Sequence, residues 1–505
     1  MWIGGAWTSA SDGATGEVLD PSSGEVIGTV PKATLADVDT AVAASRAAFE
    51  DRSWAAIDPA QRGRILQKMA AVTYAEAKNL ATIESRNNGK TFREALSEIR
   101  YGAWTLEYFA GASDKIEGST IPVPGNRLNY SLRQPLGVTA HIVPWNFPLQ
   151  LALRSIAPAL AAGCTVIAKS ASWTPLSLIA WAKAIDAAET GLPSGVLQVI
   201  TGSGGLIGDA LAGHAGVDGI VLTGGVPTGK AVMAKASERL TPVTLELGGK
   251  SPVVISRSAD LEQAMQRVML GKTLNAGQIC LAPDYLLVPE EQLEEVISLA
   301  TKAVNEMYAS LRDNDQYTSV INERHHKRLS GYLEDAEQRG YRIIPLNPAN
   351  EDFSNGTGKI PPTLIVSPEH DALCMEEEIF GPLLPIRTYK NFDETIDYIN
   401  ANPRPLAAYY FGTDKGEEEA FLHRTTSGGV CINDVIFHIA QEDMPFGGVG
   451  PSGMGSYHGI EGFKTFSHAK SIYSQTLKFN VAKLGGMLPP YGKTSDKTIK
   501  AQIKS

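Results

Sequence analysis

Positive charge is in short supply in this chain. Its 505 residues carry 45 Lys and Arg against 55 Asp and Glu, for a net charge of −10. A nucleic-acid binder needs surplus cations to displace phosphate counterions, so that class is excluded. Cysteine is scarcer, with four residues at 164, 280, 374 and 431. They form no CxxC, which removes zinc ribbons and dithiol redox pairs. They are too few for a disulfide scaffold and fit a reducing cytosol. There is no unbroken membrane span. The longest apolar stretch, 149–168, contains Gln150, Arg154 and Ser155, and one arginine at a span's centre costs about 2.5–3.5 kcal/mol. That stretch predicts a buried helix leading into a strand. The opening residues, MWIGG, lack the basic and apolar regions of a secretory signal. A cytoplasmic protein without membrane attachment is the expectation. GxSxG and HExxH are absent too, and the adjacent pair His325-His326 has no ligand spacing. Serine-hydrolase chemistry is excluded and no metal site is expected.

What is present describes a large α/β protein. Hydrophobic residues make up 43% and charged residues 20%, enough for extensive cores. At about 150 residues per domain the length predicts roughly three domains. Thr34 and Asp37 form a capping box ahead of a helix burying Val38, Ala41, Val42, Ala48 and Phe49. Short apolar strands are predicted at 137–143, 165–168, 195–200 and 219–222, separated by helical stretches. That alternation is the pattern of a doubly wound, dinucleotide-type sheet. Residues 241–247 alternate, with Val243, Leu245 and Leu247 on one face and Thr244 and Glu246 on the other. Gly248-Gly249 ends that strand. A helix from Asp260 then leads to NAGQIC at 275–280. A second α/β section runs to about 450 and ends in the glycine-rich loop 446–450. The tail after about 475 is expected to be an extended surface arm.

Two turns could hold phosphates. TGGVPTGK at 223–230 has the GxxxxGK outline, but Ala231 stands where a magnesium-binding hydroxyl belongs. TGSGG at 201–205 follows a strand, with Ile207 in place of the third glycine of GxGxxG. Each alone could be an ordinary strand-to-helix turn. Together they favour a nucleotide at helix N-termini.

Cys280 stands out among the cysteines because Gly277-Gln278 precedes it, which allows close backbone approach to a ligand. A buried cysteine is otherwise a small hydrophobe, and Cys164, Cys374 and Cys431 read that way. Glu246 is a carboxylate in an apolar strand, either on a solvated face or functional. Asn146 lies between two prolines in PWNFP at 144–148, either as a turn residue or as a preset donor for an oxyanion.

These motifs, with LELGGKSP at 245–252, EEIFGP at 377–382 and PFGG at 445–448, resemble the aldehyde dehydrogenase superfamily in order and spacing over nearly the whole chain. The second half, with NAGQICLAPDYLLVP at 275–289 and FGGVGPSGMGSYHGIEGF at 446–463, resembles the coniferyl aldehyde dehydrogenase group. The resemblance implies a Rossmann-like dinucleotide-binding domain at 1–116 and 136–247 and an α/β catalytic domain at 248–463. It also implies a small β oligomerisation element and C-terminal arm at 117–135 and 464–505, and hence a homodimer or homotetramer. Strands are expected there at Tyr130-Ser131-Leu132 and at 465–473, with the late strand near 464–476.

Carried over by position, the resemblance makes Cys280 the nucleophile and Asn146 the oxyanion donor, with Glu246 activating the hydrolytic water. Lys169, Ser172, Trp145, Gly202, Gly225, Glu378 and Phe380 match cofactor-binding positions. Phe147, Leu151, Arg154, Ile279, Phe437 and His438 are candidates for the substrate tunnel, where ordinary core packing is the alternative. The implied reaction takes an aldehyde, aromatic or bulky and apolar, to its acid.

This sequence departs from the family in two places. The family often reads Lys-Pro-Ser-Glu around the adenosine lysine, and here Ser172 replaces the carboxylate that would repel a 2′-phosphate. NAD is therefore expected, with NADP admitted. Many relatives carry lysine where this chain has Ser155, next to Arg154; Arg154 then lines the tunnel or faces a neighbouring subunit. The rival readings are a P-loop nucleotidase, a CoA-acylating variant, a dehydrogenase for aliphatic aldehydes or semialdehydes, and a catalytically silent relative.

Overall fold

The structure is a computed structural model that describes residues 1–123, 127–354, 358–475 and 480–503, with only the backbone of residue 481. It divides into two compact units. The larger comprises 1–115 and 135–466, and the smaller 116–134 and 467–505.

The larger unit is built on two sheets. The first has the strand order Gly453–Met454, Val243–Leu247, Gly219–Gly224, Val138–Ile142, Thr165–Lys169, Leu197–Ile200, Trp2–Ile3, Ala6–Trp7. Its five central strands run parallel, and antiparallel strands close both edges. Every residue of Val138–Ile142, Thr165–Lys169 and Leu197–Ile200 is buried, as expected for strands covered by helices on both faces. The second sheet has the order Arg342–Pro345, Thr363–Val366, Leu383–Tyr389, Tyr285–Pro289, Pro252–Ile255, Ala407–Phe411, Gly429–Ile432. All of its neighbours are parallel except the first pair. The predicted α/β architecture is thus present, and the Thr34–Asp37 capping box opens the helix Leu35–Glu50 as expected.

The first sheet locates the site. The chain passes from Val138–Ile142 to Thr165–Lys169 and Leu197–Ile200, then returns to Gly219–Gly224 on the other side of its starting strand. Ligands of such sheets bind beyond the carboxyl ends of the strands where the order reverses. PWNFP leaves the starting strand at that point. Pro148 then begins the helix Pro148–Ala162, all of whose residues are buried, and Gly163 ends it at a left-handed φ of 92°. This is the buried helix expected from the apolar stretch.

Two readings are sharpened by the structure. GGVPTGK does not form a Walker-type loop, although Gly225 does stand at the expected strand-to-helix turn. The strand ends at Gly224, Gly225 caps the next helix, and Val226–Ser237 is already helical. Gly229 lies buried on that helix, where a Cβ would meet the Leu247 side chain, and Lys230 is exposed. The glycine serves helix-to-strand packing, so the motif gives the nucleotidase reading no support. The tail is not an extended arm either: its described part carries the helices Val481–Leu484 and Lys493–Ile503.

The smaller unit contains a three-stranded sheet ordered Ser467–Gln475, Arg127–Pro135, Thr120–Ile121. Its late strand starts two residues after the predicted 465, because Gly459–Thr465 is helical. Positions 124–126 and 476 of the expected element lie outside the described residues.

Gly229→Val should destabilise the protein by about 1–3 kcal/mol through overpacking, whereas Lys230→Ala should stay within about 0.5 kcal/mol. Urea unfolding of both variants checks this.

Candidate active site

The five sequence motifs converge in the larger unit, and backbone geometry brings them together. The loop before Cys280 holds three consecutive left-handed residues: Asn275 at φ 46°, Ala276 at 50° and Gly277 at 71°. Non-glycine residues occupy this region only when their surroundings hold them there. Here Gln278 supplies much of that restraint. Its Nε2 donates to the carbonyls of Asn275 at 3.1 Å and Ser319 at 3.2 Å, and its Oε1 accepts from Ile321 N–H at 3.0 Å. Position 277 must be glycine for a second reason: a Cβ there would run into the carbonyl of Gly381, in EEIFGP.

Asn146 is buried beside this loop, and its Nδ2 donates to the Gln278 carbonyl at 3.0 Å. An amide nitrogen carries two hydrogens, so one is left to donate elsewhere. Cys280 is half-buried. Burial, together with the Glu378 and Glu246 carboxylates, pushes its thiol well above the ordinary range.

Glu246 is 3% exposed, and both of its carboxylate oxygens lack hydrogen-bond partners among the described residues. The solvated-face reading is therefore wrong. Its strand lies between Gly219–Gly224 and Gly453–Met454, and Glu246 pairs with Thr223 and Gly453. A Cβ on Gly453 would strike the Leu245 carbonyl, so the glycine-rich stretch after PFGG is what lets that edge strand close. Burial alone raises the Glu246 carboxyl well above its usual range.

EEIFGP is tied down by a partly buried ion pair. Lys250 of LELGGKSP bonds Asp284 and donates to the carbonyls of Cys374 at 2.8 Å and Glu377 at 2.9 Å. Asp284 Oδ1 accepts from Ile379 N–H at 3.0 Å. Between these anchors Glu378 lies so close to Gly248 that a Cβ there would meet its carboxylate. Burial and Asp284 raise Glu378 to about 8. Phe380, at φ 45°, meets Trp145 edge-on with centroids 5.3 Å apart.

The remaining cofactor candidates lie along the first sheet's carboxyl edge. Lys169 ends its strand, is 2% exposed, and is lowered by burial to about 8. A Cβ on Gly204 would stand 4.0 Å from its Nζ. Exposed Ser172 donates to the Gly202 carbonyl at 2.9 Å. Gly202, at φ 142°, has no room for a Cβ between Ile207 and Ala33. Gly225 caps the helix Val226–Ser237.

The substrate candidates are not all alike. Phe147 is half-buried under the Lys90 ammonium, 4.1 Å from the ring centre. Leu151 and Ile279 are buried, Ile279 within the core beneath the second sheet, which is the packing alternative. Phe437 is exposed. His438 Nδ1 lies 3.1 Å from Cys431 Sγ, and burial lowers the ring to about 4. Arg154 is 1% exposed, bonds His458, and pairs with Glu442 at 3.6 Å. The neighbouring-subunit reading of Arg154 fails because its own chain encloses the guanidinium. Cys164 and Cys374 are fully buried and Cys431 nearly so, consistent with structural roles.

Several residues here carry no sequence signal. His325, dismissed as part of a polar pair, stands 5.3 Å from Trp145 and 5.4 Å from Trp173, and burial lowers it to about 4. Tyr457 is fully buried, and burial and the Glu246 charge raise its hydroxyl.

Glu246 yields a stability prediction. A carboxyl raised in the folded state is bound to its proton while the unfolded chain has lost it. Stability therefore falls as pH climbs from the unfolded value towards the folded one. Glu246→Gln removes this cost, so its Tm should exceed that of the parent by a margin that grows from about pH 5 to pH 9. Thermal melts across that range check this.

The comparisons with known proteins agree with this geometry. The model of the aldehyde dehydrogenase family matches residues 7–472. A coniferyl aldehyde dehydrogenase of a Pseudomonas species is 49% identical over 366 residues, 71% of this chain and 73% of that protein. Among solved structures, an NAD-dependent aldehyde dehydrogenase from Sinorhizobium meliloti superposes with a TM-score of 0.90 at 32% identity, covering 95% of each chain. A betaine aldehyde dehydrogenase point mutant from Staphylococcus aureus, in complex with NAD+, gives 0.89 at 31% identity, covering 95% of this chain and 98% of its own. With a family model spanning nearly its full length and the family's motifs folded onto one site, this chain belongs to the aldehyde dehydrogenase family.

Proposed function

We propose that this chain oxidises aldehydes to carboxylic acids with NAD, using Cys280, Asn146 and Glu246. The observation that supports it most is the meeting of a half-buried thiol, a buried amide donor and an unpartnered buried carboxylate where the first sheet's strand order reverses.

Cys280 Sγ attacks the aldehyde carbon, and its proton passes to a nearby carboxylate, which releases it to solvent before Glu246 acts on water. Glu246 and Glu378 are the two whose charge reaches the thiol. The carbonyl electrons move onto oxygen, where the free amide hydrogen of Asn146 and the Cys280 backbone N–H receive them. NAD, when bound, accepts the hydride lost from the resulting thiohemiacetal carbon. A thioester then remains on Cys280. Glu246 takes a proton from water, the water oxygen bonds to the acyl carbon, and the carbon–sulfur bond breaks to release the acid. A base of raised pKa near the working pH suits both proton transfers. Glu246 favours water over CoA as the acyl acceptor.

The carboxyl edge of the sheet fits a dinucleotide. Lys169 offers an ammonium beside the Gly204 turn, and Gly202 leaves its backbone uncovered. Ser172 and Gly225 line the same edge, while Trp145, Phe380 and Glu378 flank the reacting end. With a hydroxyl at 172 and no carboxylate, a 2′-phosphate meets no repulsion there, so NADP is accepted as well. On this reading 1–116 and 136–247 bind the dinucleotide and 248–463 carry the catalytic residues. The element at 117–135 and 464–505 joins copies into a homodimer or homotetramer. No helix among the described residues is long and apolar enough to cross a membrane.

The substrate is an aromatic or bulky apolar aldehyde. The coniferyl aldehyde dehydrogenase relative supports this, as do exposed Phe437 and half-buried Phe147 near the motif loops. Cinnamyl-type aldehydes should give a higher kcat/KM than short aliphatic aldehydes and semialdehydes in an NADH absorbance assay. Equal or reversed rates would overturn the aromatic assignment. Cys280→Ala should abolish turnover. Glu246→Gln should keep a pre-steady-state NADH burst while its steady-state rate falls at least tenfold; a lost burst would place Glu246 in the first half of the reaction. NAD should give the higher kcat/KM, with measurable turnover on NADP.

A further inference from the structure

Three buried ionisable side chains, used by no step above, lie directly beneath PWNFP. Glu84 is 0%, Lys90 3% and Glu98 4% exposed. They come from the helix Ala77–Asn88, the turn after it, and the helix Phe92–Ala112. Gly89, left-handed at φ 81°, swings the chain so that Lys90 points back under the loop. The Lys90 ammonium bonds Glu98, donates to the Asn146 carbonyl at 2.7 Å, and caps the Phe147 ring at 4.1 Å. Asn88 Nδ2 donates to the Trp145 carbonyl at 2.6 Å and to that of Asn146 at 3.3 Å. Glu84 Oε2 accepts from Leu149 N–H at 3.3 Å. Asn87 grips the neighbouring loop, donating to the Trp173 carbonyl and accepting from Leu176 N–H, each at 2.9 Å.

PWNFP has no ladder of its own, so its backbone groups need partners from elsewhere. Residues 84–90 supply them for Trp145, Asn146 and Leu149. An oxyanion donor is effective only when its direction is set before charge develops. Asn146's side-chain direction follows from its backbone, and its carbonyl is the group with the most donors in the loop: Lys90, Asn88 and, at 3.3 Å, Asn275.

We propose that Lys90, paired with Glu98, is a positioning residue for the reaction: it holds the Asn146 carbonyl so that the Asn146 amide points at the oxyanion. This rests on the assignment of Asn146 as oxyanion donor. A lysine is suited to the task because one ammonium has three donors, enough for Glu98 and Asn146 together. The charge also makes the bond to the carbonyl stronger than a neutral donor would give.

The test compares Lys90→Met/Glu98→Gln, which removes both members of the ion pair together, with Lys90→Arg, Asn88→Ala and Asn146→Ala. Purified full-length proteins are assayed for kcat, KM for NAD and Tm. The double variant should lose roughly tenfold to a hundredfold in kcat with KM for NAD unchanged. Lys90→Arg should recover part of that loss, and Asn88→Ala should show a smaller loss in the same direction. The decisive readout is coupling. Added to Asn146→Ala, the double change should lower kcat by less than threefold, because the group it positions is already gone. Losses that multiply in that background would overturn the proposal. So would wild-type kcat in the double variant while Asn146→Ala is impaired. If the double variant does not fold, coupling of Asn88→Ala to Asn146→Ala decides the matter by the same criterion. Wild-type kcat in Asn146→Ala alone would refute the oxyanion assignment itself, and this proposal with it.

Discussion

The site depends on keeping charge out of water. Glu246 sits on a strand closed on both edges, with neither oxygen bonded among the described residues. An isolated carboxylate in such surroundings takes up a proton rather than bear the desolvation. That condition couples fold to chemistry. The edge strand Gly453–Met454 can lie against the Glu246 strand only because Gly453 has no side chain. The glycines after PFGG are therefore part of what makes residue 246 a base. A more open strand would leave an ordinary surface glutamate, ionised at neutral pH and weakly basic.

Much of the fold was legible because it is periodic. The short, mostly apolar segments at 137–143, 165–168 and 195–200 read as buried strands, and the capping box at Thr34 marks a helix start. Cys280, Asn146 and Glu246 came together as a set only through the resemblance of their motifs to a family; taken singly, each left an ordinary structural reading open. In GGVPTGK the GxxxxGK outline has a packing origin, since Gly229 lies against Leu247. The tail misled because its helices have little apolar content to signal them. Lys90, His325 and Tyr457 were not legible: their relation to the site is made by tertiary contact between segments 56 to more than 200 residues apart, and nothing in a local window records it.

Two ion pairs, one buried and one partly buried, divide the support of the site between them. Lys250–Asp284 holds the loop bearing Glu378 and Phe380, while Lys90–Glu98 lies under the loop bearing Trp145 and Asn146. A buried pair is a poor source of net stability compared with a well-packed apolar equivalent. What a lysine adds here is several directional donors from one point, able to reach carbonyls of a loop that has no regular structure. Both lysines bond backbone oxygens as well as their carboxylates. The motif loops therefore behave as extensions of the rigid sheets rather than as surface connections.

The raised thiol of Cys280 has one more consequence. Oxidants and alkylating agents react with thiolates and hardly at all with thiols. Burial raises the Cys280 thiol, so the sulfur depends on a base close at hand to give up its proton when an aldehyde arrives, and the shape of the pocket decides which electrophiles meet it in that state.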